Sequence, residues 1–277
     1  MKKFSLLLIF LLIFLFFPFP KNVGPQERPD LENMTVNMSS MASKIETKLA
    51  VDKLSPLSLL PDPSSWPRPL YLVWRAAYID TAVRERTSDK DWAKLKDLPA
   101  TMPQAIVAIE DHRFYEHDGV DVDGVLRAIL ANIQADRIVQ GGSTLTQQLV
   151  KNTLLSQEQT FERKVLEIML ALIVESRYEK DDILEMYLNT TYFGAGAYGV
   201  KSAASVYFGK TTDALVLAEC AVLAGLPNAP SALNPFENLD ACKTRRNSVL
   251  KAMAKRGMIS NALAEETSAM PILLNNK

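Results

Sequence analysis

The sequence predicts a mainly α-helical domain behind an N-terminal membrane anchor. From Tyr71 onward, apolar residues recur every three or four positions, which is the spacing of one face of an α-helix. Thr144 followed by Gln147 has the spacing of a capping box, a signal for the start of a helix. Alternating apolar and polar residues, which are typical of strands, are scarce. A chain of 277 residues, 48% of them hydrophobic, can bury one substantial core.

The individual helices can be placed by their apolar spacing and their end signals. Thr212 or Asp213 is expected to cap the helix that ends at residue 225, and Gly257 to stop the helix that begins at residue 239. The predicted helices cover residues 103–110, 123–135, 145–154, 162–178, 181–188, 200–208, 213–225, 239–256 and 261–269.

The first 20 residues have the composition of a membrane-targeting segment. Lys2 and Lys3 precede an apolar stretch over residues 4–17 that only Ser5 interrupts. This stretch is short for a spanning helix, which needs about 20 residues, yet neither a small-x-small cleavage pattern nor a nearby cysteine follows it. We therefore favour an uncleaved signal anchor over a cleaved signal peptide. Positive charge before the anchor places the rest of the chain outside the membrane.

A linker or stalk is expected over residues 21–69, which are rich in Pro, Ser, Met, Asn and charged residues. One short helix is predicted within it, at residues 41–54. The remaining residues, 70–277, are expected to form the folded domain.

Charge and cysteine content exclude several classes of function. The 31 Lys and Arg residues balance 32 Asp and Glu residues, so no overall field attracts nucleic acid, and any anion site must be local. Cys220 and Cys242 fall in separate predicted helices and match neither a metal-ligand pattern nor a disulfide framework. We expect both to be small buried residues.

Glu167 is the only polar residue in the apolar run 165–174. A helix that is apolar nearly all round belongs in a core, where an ionised carboxylate is costly unless it is paired or opens onto a cleft. Arg163 and Lys164 lie four and three residues upstream, on roughly the same helical face. The pattern fits either a buried ion pair or a functional carboxylate.

A second acidic position ends the apolar helix 105–109, where Glu110 and Asp111 follow directly. A carboxylate at the end of a buried helix is a candidate general base, and the alternative is a solvated polar loop. Both histidines of the chain, His112 and His117, come next, and we expect His117 to support the fold by hydrogen bonding rather than to bind metal.

A glycine pair opens the segment 141–152, which lies between the two acidic positions. Glycines before a helix expose free backbone N–H groups. Hydroxyl, amide and ammonium groups follow within three turns, and together they suit sugar hydroxyls or phosphate oxygens.

Five segments, taken in order, resemble the signature motifs of the peptidoglycan glycosyltransferases. The first three are Glu110-Asp111-x-x-Phe114-x-x-His117-x-Gly119, Gly142-Ser143-Thr144-x-Thr146-Gln147-Gln148-x-x-Lys151-Asn152 and Arg163-Lys164-x-x-Glu167. The last two are Ile183-Leu184-Glu185-x-Tyr187-Leu188-Asn189, continued by Tyr192-Phe193-Gly194-x-Gly196-x-Tyr198-Gly199, and Ala221-x-Leu223-Ala224-Gly225-Leu226-Pro227-x-Ala229-Pro230. Five motifs in order, covering about residues 98–269, leave little room for chance.

The resemblance implies a lysozyme-like, mostly helical glycosyltransferase domain on the outer side of the bacterial cytoplasmic membrane. Members of the family couple disaccharide units with inversion at the anomeric carbon, consume lipid II and release polyprenyl diphosphate. A diphosphate leaving group needs cations to offset its charge rather than a strong general acid. The implied partners are lipid II, the growing glycan strand, the membrane and other cell-wall synthesis proteins, with no nucleic acid.

The resemblance also implies a role for each motif residue. Glu110 would take the proton from the 4-hydroxyl of the acceptor sugar, and Glu167 would orient the cationic group or a divalent ion, Mg²⁺ or Mn²⁺, beside it. No organic cofactor is implied, and no metal ligand is assigned. The implied substrate-binding residues are Asp111, Phe114, His117, Ser143, Thr144, Gln147, Gln148, Lys151, Asn152, Arg163 and Lys164.

One position departs from the family pattern, and one short motif matches a different domain. Gln159 stands where members often carry an arginine, which predicts weaker binding of the donor phosphates or another cation in its place. Ser248-Val249-Leu250-Lys251 matches the Ser-x-x-Lys motif of transpeptidases, but too few residues follow for that domain, so we interpret the match as chance and expect a monofunctional enzyme.

Two other functions fit parts of the pattern. A hydrolase or lytic transglycosylase of lysozyme-like fold also uses carboxylates, but a neutral glycan does not need Lys151, Arg163 and Lys164. A non-catalytic membrane-anchored scaffold of wall synthesis would not need intact Glu110 and Glu167. The apolar residues between the first two motifs are candidates for lipid contact or for a core: Ile129, Leu130, Ile133, Ile138 and Val139.

Overall fold

The computed structural model describes residues 62–135, 141–156, 158 and 160–275. The predicted anchor, the helix predicted at 41–54, Gln159, Ile138 and Val139 lie outside these residues, and so does most of the predicted linker. Within the described residues, no helix has both the length and the apolar composition needed to cross a membrane. The residues from Pro67 onward group into one compact unit.

Helices dominate the described part of the chain, which confirms the prediction of a mainly α-helical domain. The first of them begins at Arg68, inside the range predicted as linker. The helices are α1 Arg68–Ala77, α2 Ile79–Arg84, α3 Thr101–Glu110, α4 Val122–Ala135, α5 Leu145–Leu154, α6 Phe161–Arg177, α7 Lys180–Thr190, α8 Val200–Phe208, α9 Leu217–Gly225, α10 Leu239–Lys255 and α11 Asn261–Ala269.

The predicted helix ends at Thr144 and Gly257 are confirmed. Thr144 Oγ1 accepts from the Gln147 backbone N–H at 3.2 Å, and Gln147 Oε1 accepts from the Thr144 N–H at 2.9 Å. This reciprocal capping box satisfies two donors at the start of α5. Gly257 has a φ of +70° directly after the last turn of α10, a conformation that glycine adopts without strain.

The predicted start of α9 is wrong. Thr212 and Asp213 form a short 3₁₀ turn, Thr212–Ala214, and the chain is extended at Val216 before the helix begins at Leu217. Glu219 provides the cap, because its Oε2 accepts from the Val216 N–H at 3.1 Å. A carboxylate in the first turn also interacts favourably with the helix dipole, so the later start is the better capped one.

Two groups of helices carry the core. In one, α9 and α10 pack against each other and against α3, and α11 packs on α10; in the other, α5 contacts α6 and α7, and α1 covers α6. Cys220 and Cys242 are free and buried in the first group, as predicted, and burial raises the pKa of each thiol to about 11. Glu110 is the last residue of α3, in the first group, and its hydrogen bond with Gln148 of α5 connects it to the second group.

The expectation that the apolar run 165–174 belongs in a core holds for only one face of α6. Its buried residues are Glu167, Leu170, Ala171 and Val174, which form one face, whereas the apolar side chain of Val165 is exposed. The first turns of α6 border an open cavity instead of the core, which leaves part of the apolar surface uncovered.

The fourth motif has a structural role in α7. Glu185 accepts from Trp92 Nε1 and from the Leu95 N–H, each at 2.7 Å. Asn189 pairs with the backbone of Ala93, accepting from its N–H and donating to its carbonyl oxygen, both at 2.8 Å. These bonds pair backbone N–H and C=O groups of the irregular segment before α3, which regular helix or sheet hydrogen bonds do not pair. They therefore hold this segment against α7.

We expect Arg246→Met to destabilise the domain by about 3 kcal/mol, because it removes two hydrogen bonds donated by a charged group. Arg246 is 2% exposed and donates two hydrogen bonds to the end of α11. One goes to the carbonyl oxygen of Ser268 in the last turn at 2.6 Å, and the other to that of Met270, directly after the helix, at 2.7 Å. Denaturant unfolding measures the effect. Lys243→Met, on the exposed side of α10, is the control, and equal stability of the two variants would contradict this role.

Candidate active site

Two adjoining cavities share the side chains of Gln148 and Lys151 on α5. The first has a volume of about 460 Å³ and is also lined by Ser143, Thr160, Phe161, Arg163, Lys164 and Glu167. The second, of about 630 Å³, is also lined by Arg86, Thr87, Asn152, Asn189, Thr190, Thr191, Tyr192, Tyr198, Pro227 and Pro230. A cleft of this size and polarity suits a substrate with several polar groups.

The first cavity carries three cationic side chains and one carboxylate. Arg163 Nη1 donates to Glu167 Oε2 at 3.0 Å, Lys164 Nζ donates to Glu167 Oε1, and Lys164 Nζ also donates to Ser143 Oγ at 3.0 Å. Lys151 is the third cation on the wall. The excess of positive charge makes this cavity suitable for an anion.

Helix geometry explains this cluster. Thr160 Oγ1 accepts from the Arg163 N–H at 3.2 Å and so fixes the start of α6. Arg163, Lys164 and Glu167 then share a face at i, i+4 and i, i+3 spacing, as predicted. The Glu167 side chain is 2% exposed and Lys164 39%, so the carboxylate is buried while the ammonium group reaches solvent.

Glu110 lines neither cavity but contacts Gln148, which lines both. Its side chain is 10% exposed and accepts two hydrogen bonds, from Gln148 Nε2 to Oε2 at 3.0 Å and from Arg245 Nη2 to Oε1 at 3.1 Å. The carboxylate is therefore held from two sides and still reaches solvent, as a general base requires.

Gln148 is held in turn by Tyr187 of α7. The Tyr187 hydroxyl donates to Gln148 Oε1 at 3.2 Å. Burial and then the negative charge of Glu110 raise the pKa of Tyr187 well above its usual value, so the phenol keeps its proton and remains a donor. The bond directs the NH₂ group of Gln148 toward Glu110.

Several predicted site residues support the site from within the fold. Asp111 is 6% exposed and accepts from the Leu145 N–H at 3.0 Å and from His117 Nε2 at 3.0 Å, which ties the first motif to the start of α5. Phe114 is fully buried beside His117. His117 thus has the predicted fold-supporting bond.

Thr144 and Gln147, predicted to line the substrate path, do not line either cavity. Both side chains are buried in the capping box, and Thr144 Oγ1 also donates to the Gly119 carbonyl oxygen at 2.7 Å. The predicted site residues that border the cavities are Ser143, Gln148, Lys151, Asn152, Arg163, Lys164 and Glu167.

Sequence reasoning missed Arg245, Tyr187 and Arg86 as site residues. Arg86 borders the second cavity and donates to the Asn152 carbonyl oxygen at 2.6 Å. Tyr187 belongs to the fourth motif, so the motif itself was a usable signal, whereas Arg245 and Arg86 lie outside the motifs and carried none.

The residues around Glu167 do not fit a resident divalent ion. Both carboxylate oxygens already accept from Arg163 and Lys164, and two cations next to a metal ion would repel it. Within the described ranges, no cluster of three or more His, Cys, Asp or Glu side chains has the arrangement that a metal ion needs. The donor set suits an anion instead.

Sequence comparisons cover the residues of this site. The sequence model of the transglycosylase family matches residues 77–254, which include the cavity-lining and Glu110-binding residues of both helix groups. A Cupriavidus necator protein, provisionally named a transglycosylase, is 45% identical over 184 residues, which are 66% of this chain and 79% of that protein.

Two penicillin-binding proteins 1A are similar over a smaller share of their length. The Aquifex aeolicus protein is 41% identical over 225 residues, which are 79% of this chain and 30% of that protein. The Escherichia coli protein is 48% identical over 181 residues, which are 65% of this chain and 21% of that protein. The chain therefore spans less than a third of these relatives.

Proposed function

The chain belongs to the transglycosylase family, and from that premise we propose that it polymerises lipid II into peptidoglycan glycan strands by inverting transfer, with release of polyprenyl diphosphate. The observation that carries the proposal is the positively charged cavity lined by Gln148, the residue that also donates to Glu110. Three cations, Lys151, Arg163 and Lys164, border that cavity against the single carboxylate of Glu167. A donor activated by diphosphate needs such a cluster.

The positions of these residues support the following steps. Glu110 accepts the proton of the acceptor's 4-hydroxyl as the hydroxyl oxygen bonds to the anomeric carbon of the donor. The bond between that carbon and the diphosphate oxygen breaks, and the leaving diphosphate takes the electron pair. Arg163, Lys164 and Lys151 offset its charge, while Glu167 keeps the first two in place.

A glycan-cleaving enzyme fits these positions less well. Water-driven cleavage of a neutral glycan gains nothing from a cavity with excess positive charge, and it requires one carboxyl group to protonate the leaving oxygen. Both Glu167 oxygens instead accept from Arg163 and Lys164, so neither points to a leaving oxygen. The lysozyme-like fold predicted from the motifs is compatible with both chemistries.

We propose that the reaction takes place at the outer face of the bacterial cytoplasmic membrane. Val122, Leu126, Leu130 and Ile133 are 55–70% exposed and lie on one face of α4, at intervals of four, four and three residues. Exposed apolar residues at this spacing suit the boundary between headgroups and acyl chains. Phe161, 80% exposed at the first cavity, extends apolar surface to the site itself.

We expect a polarity-sensitive dye on Leu130→Cys to shift its emission to the blue when the full chain is reconstituted in vesicles of phosphatidylethanolamine and phosphatidylglycerol. Both native cysteines are buried, so labelling is selective for the new thiol. Leu273→Cys, at a site that is 75% exposed near the C-terminus, is the control and should show no shift. Equal emission at the two sites would contradict membrane contact by α4.

Incubation of the detergent-solubilised full chain with labelled lipid II tests the proposed function. Products are separated by gel electrophoresis, with and without Mg²⁺ or Mn²⁺, since the family resemblance includes a divalent ion. Polymer that forms with the folded protein and is absent from a sample without protein supports the proposal. A folded chain that binds lipid II without making polymer would favour the scaffold, and shortening of preformed glycan would favour the cleaving enzyme.

A further inference from the structure

We propose that Arg245 is a positioning residue for this reaction, which holds the Glu110 carboxylate in the orientation from which it accepts the proton. The inference rests on the proposed function, because it assigns Arg245 a part in that same chemistry. Arg245 lies on α10, outside the five motifs, and is separated from Glu110 by 135 positions.

The contacts of Glu110 fix the orientation of its carboxylate and leave both oxygens able to accept a further hydrogen bond. Arg245 Nη2 binds Oε1 at 3.1 Å and Gln148 Nε2 binds Oε2 at 3.0 Å. Each carboxylate oxygen can accept about two hydrogen bonds, so one position on each oxygen is still available for a substrate hydroxyl. Two donors on opposite oxygens fix the rotation of the group, which neither donor achieves alone.

Gly225, in the fifth motif, makes room for Arg245. A Cβ on Gly225 would lie 2.8 Å from Arg245 Cγ, closer than real Cβ contacts come. Arg245 Nε donates to the Gly225 carbonyl oxygen at 3.3 Å, so the side chain lies along this backbone on its way to Glu110. The φ of Gly225 is −78°, which any residue adopts, and space alone therefore requires a glycine here.

Arginine suits this task better than a neutral donor. Its guanidinium stays charged at every working pH and keeps a fixed, planar set of donors. The Arg245 side chain is 22% exposed, so solvent weakens its interaction with Glu110 less than at a surface pair.

The competing explanation is a structural ion pair that only joins α10 to α3. Such a pair would lower activity in proportion to the loss of folded protein. A positioning residue lowers kcat in protein that is fully folded, and it leaves the binding of lipid II unchanged.

The test compares four variants of the full chain in the lipid II assay: Arg245→Met, Arg245→Lys, Gly225→Ala and Lys243→Met. We expect Arg245→Met to lower kcat by about 10- to 100-fold, part of the roughly 10²- to 10⁴-fold that a positioned base contributes, with KM within about threefold. Arg245→Lys should recover part of the loss. Gly225→Ala should lose kcat with Arg245 still present, and Lys243→Met should match the wild type.

Each outcome decides between the explanations. If the wild type polymerises and Arg245→Met keeps its kcat, the positioning role is overturned and the proposed function stands. A loss of kcat that follows the folded fraction, measured by circular dichroism, also overturns it in favour of the structural pair. If the folded wild type makes no polymer, the proposed function fails and this inference fails with it.

Discussion

Glu110→Gln is expected to lower the rate of lipid II polymerisation by about 10²- to 10⁴-fold, the range that a positioned general base contributes. The glutamine keeps the volume of the side chain, and its amide oxygen can still accept from Arg245, which binds Glu110 Oε1 at 3.1 Å. It cannot take a proton from the acceptor hydroxyl. We therefore expect a folded protein that binds both substrates and transfers almost nothing.

Initial rates at saturating lipid II, together with KM, measure this effect. Because the substitution removes the negative charge of Glu110 near the reacting hydroxyl and leaves the cations that bind the diphosphate intact, KM should change little. Glu116→Gln is the matched control, since Glu116 is a carboxylate on the same loop whose side chain is 64% exposed and pairs with Arg113 at 2.9 Å. Polymerisation by Glu110→Gln at the rate of the Glu116→Gln control would rule out Glu110 as the base.

Glu167→Gln is expected to lower the rate by about 10²- to 10³-fold, as the removal of one preorganised electrostatic contact does elsewhere. Glu167 binds Arg163 at 3.0 Å and Lys164 as well, and Lys164 also reaches Ser143 at 3.0 Å. Without the negative charge, the two cations repel each other and turn away from the position that the diphosphate needs.

The same variant separates the two explanations of Glu167 that the sequence left open. Removing one partner of a fully buried ion pair costs roughly 3–5 kcal/mol, but Lys164 is 39% exposed, so solvent compensates part of the loss. A catalytic role predicts a large fall in rate with a small change in the free energy of unfolding. A purely structural role predicts the reverse.

Both quantities should be measured on the same preparations, by denaturant unfolding and by the rate at saturating lipid II. Glu162→Gln, an exposed acidic position in the first turn of α6, is the control for the loss of a negative charge on that helix. The catalytic assignment would be contradicted if Glu167→Gln lowered the free energy of unfolding by the roughly 3–5 kcal/mol of a fully buried ion pair while each folded molecule kept the wild-type rate.

Local features of the fold and the site could be read from the sequence because they depend on neighbours along the chain. The capping box of Thr144 and Gln147 needs only a spacing of three residues. The pairing of Glu167 with Arg163 and Lys164 needs only helix geometry. The start of α9 is local as well, yet the prediction of a cap at Thr212 or Asp213 was wrong, because Glu219 provides the cap.

Contacts between distant segments depended on how the helices pack. Arg245 reaches Glu110 across 135 positions because α10 lies against α3 and Gly225 leaves a path for the side chain. The exposure of Val165 on α6 also depended on packing, because periodicity does not reveal which part of an apolar helix lies beside an open cavity.

The sequence by itself determined the helical class, the family and the local pairs at Thr144 and Glu167, since spacing of a few residues specifies backbone hydrogen bonding and helix faces. Only the tertiary structure decided that Asp111 supports α5, that Thr144 and Gln147 are buried away from the cavities, and that Arg245 and Gln148 hold Glu110. The physical reason is that a side chain's partner across the fold depends on which helices bury their apolar faces together, and many sequences with the same local pattern allow different pairings.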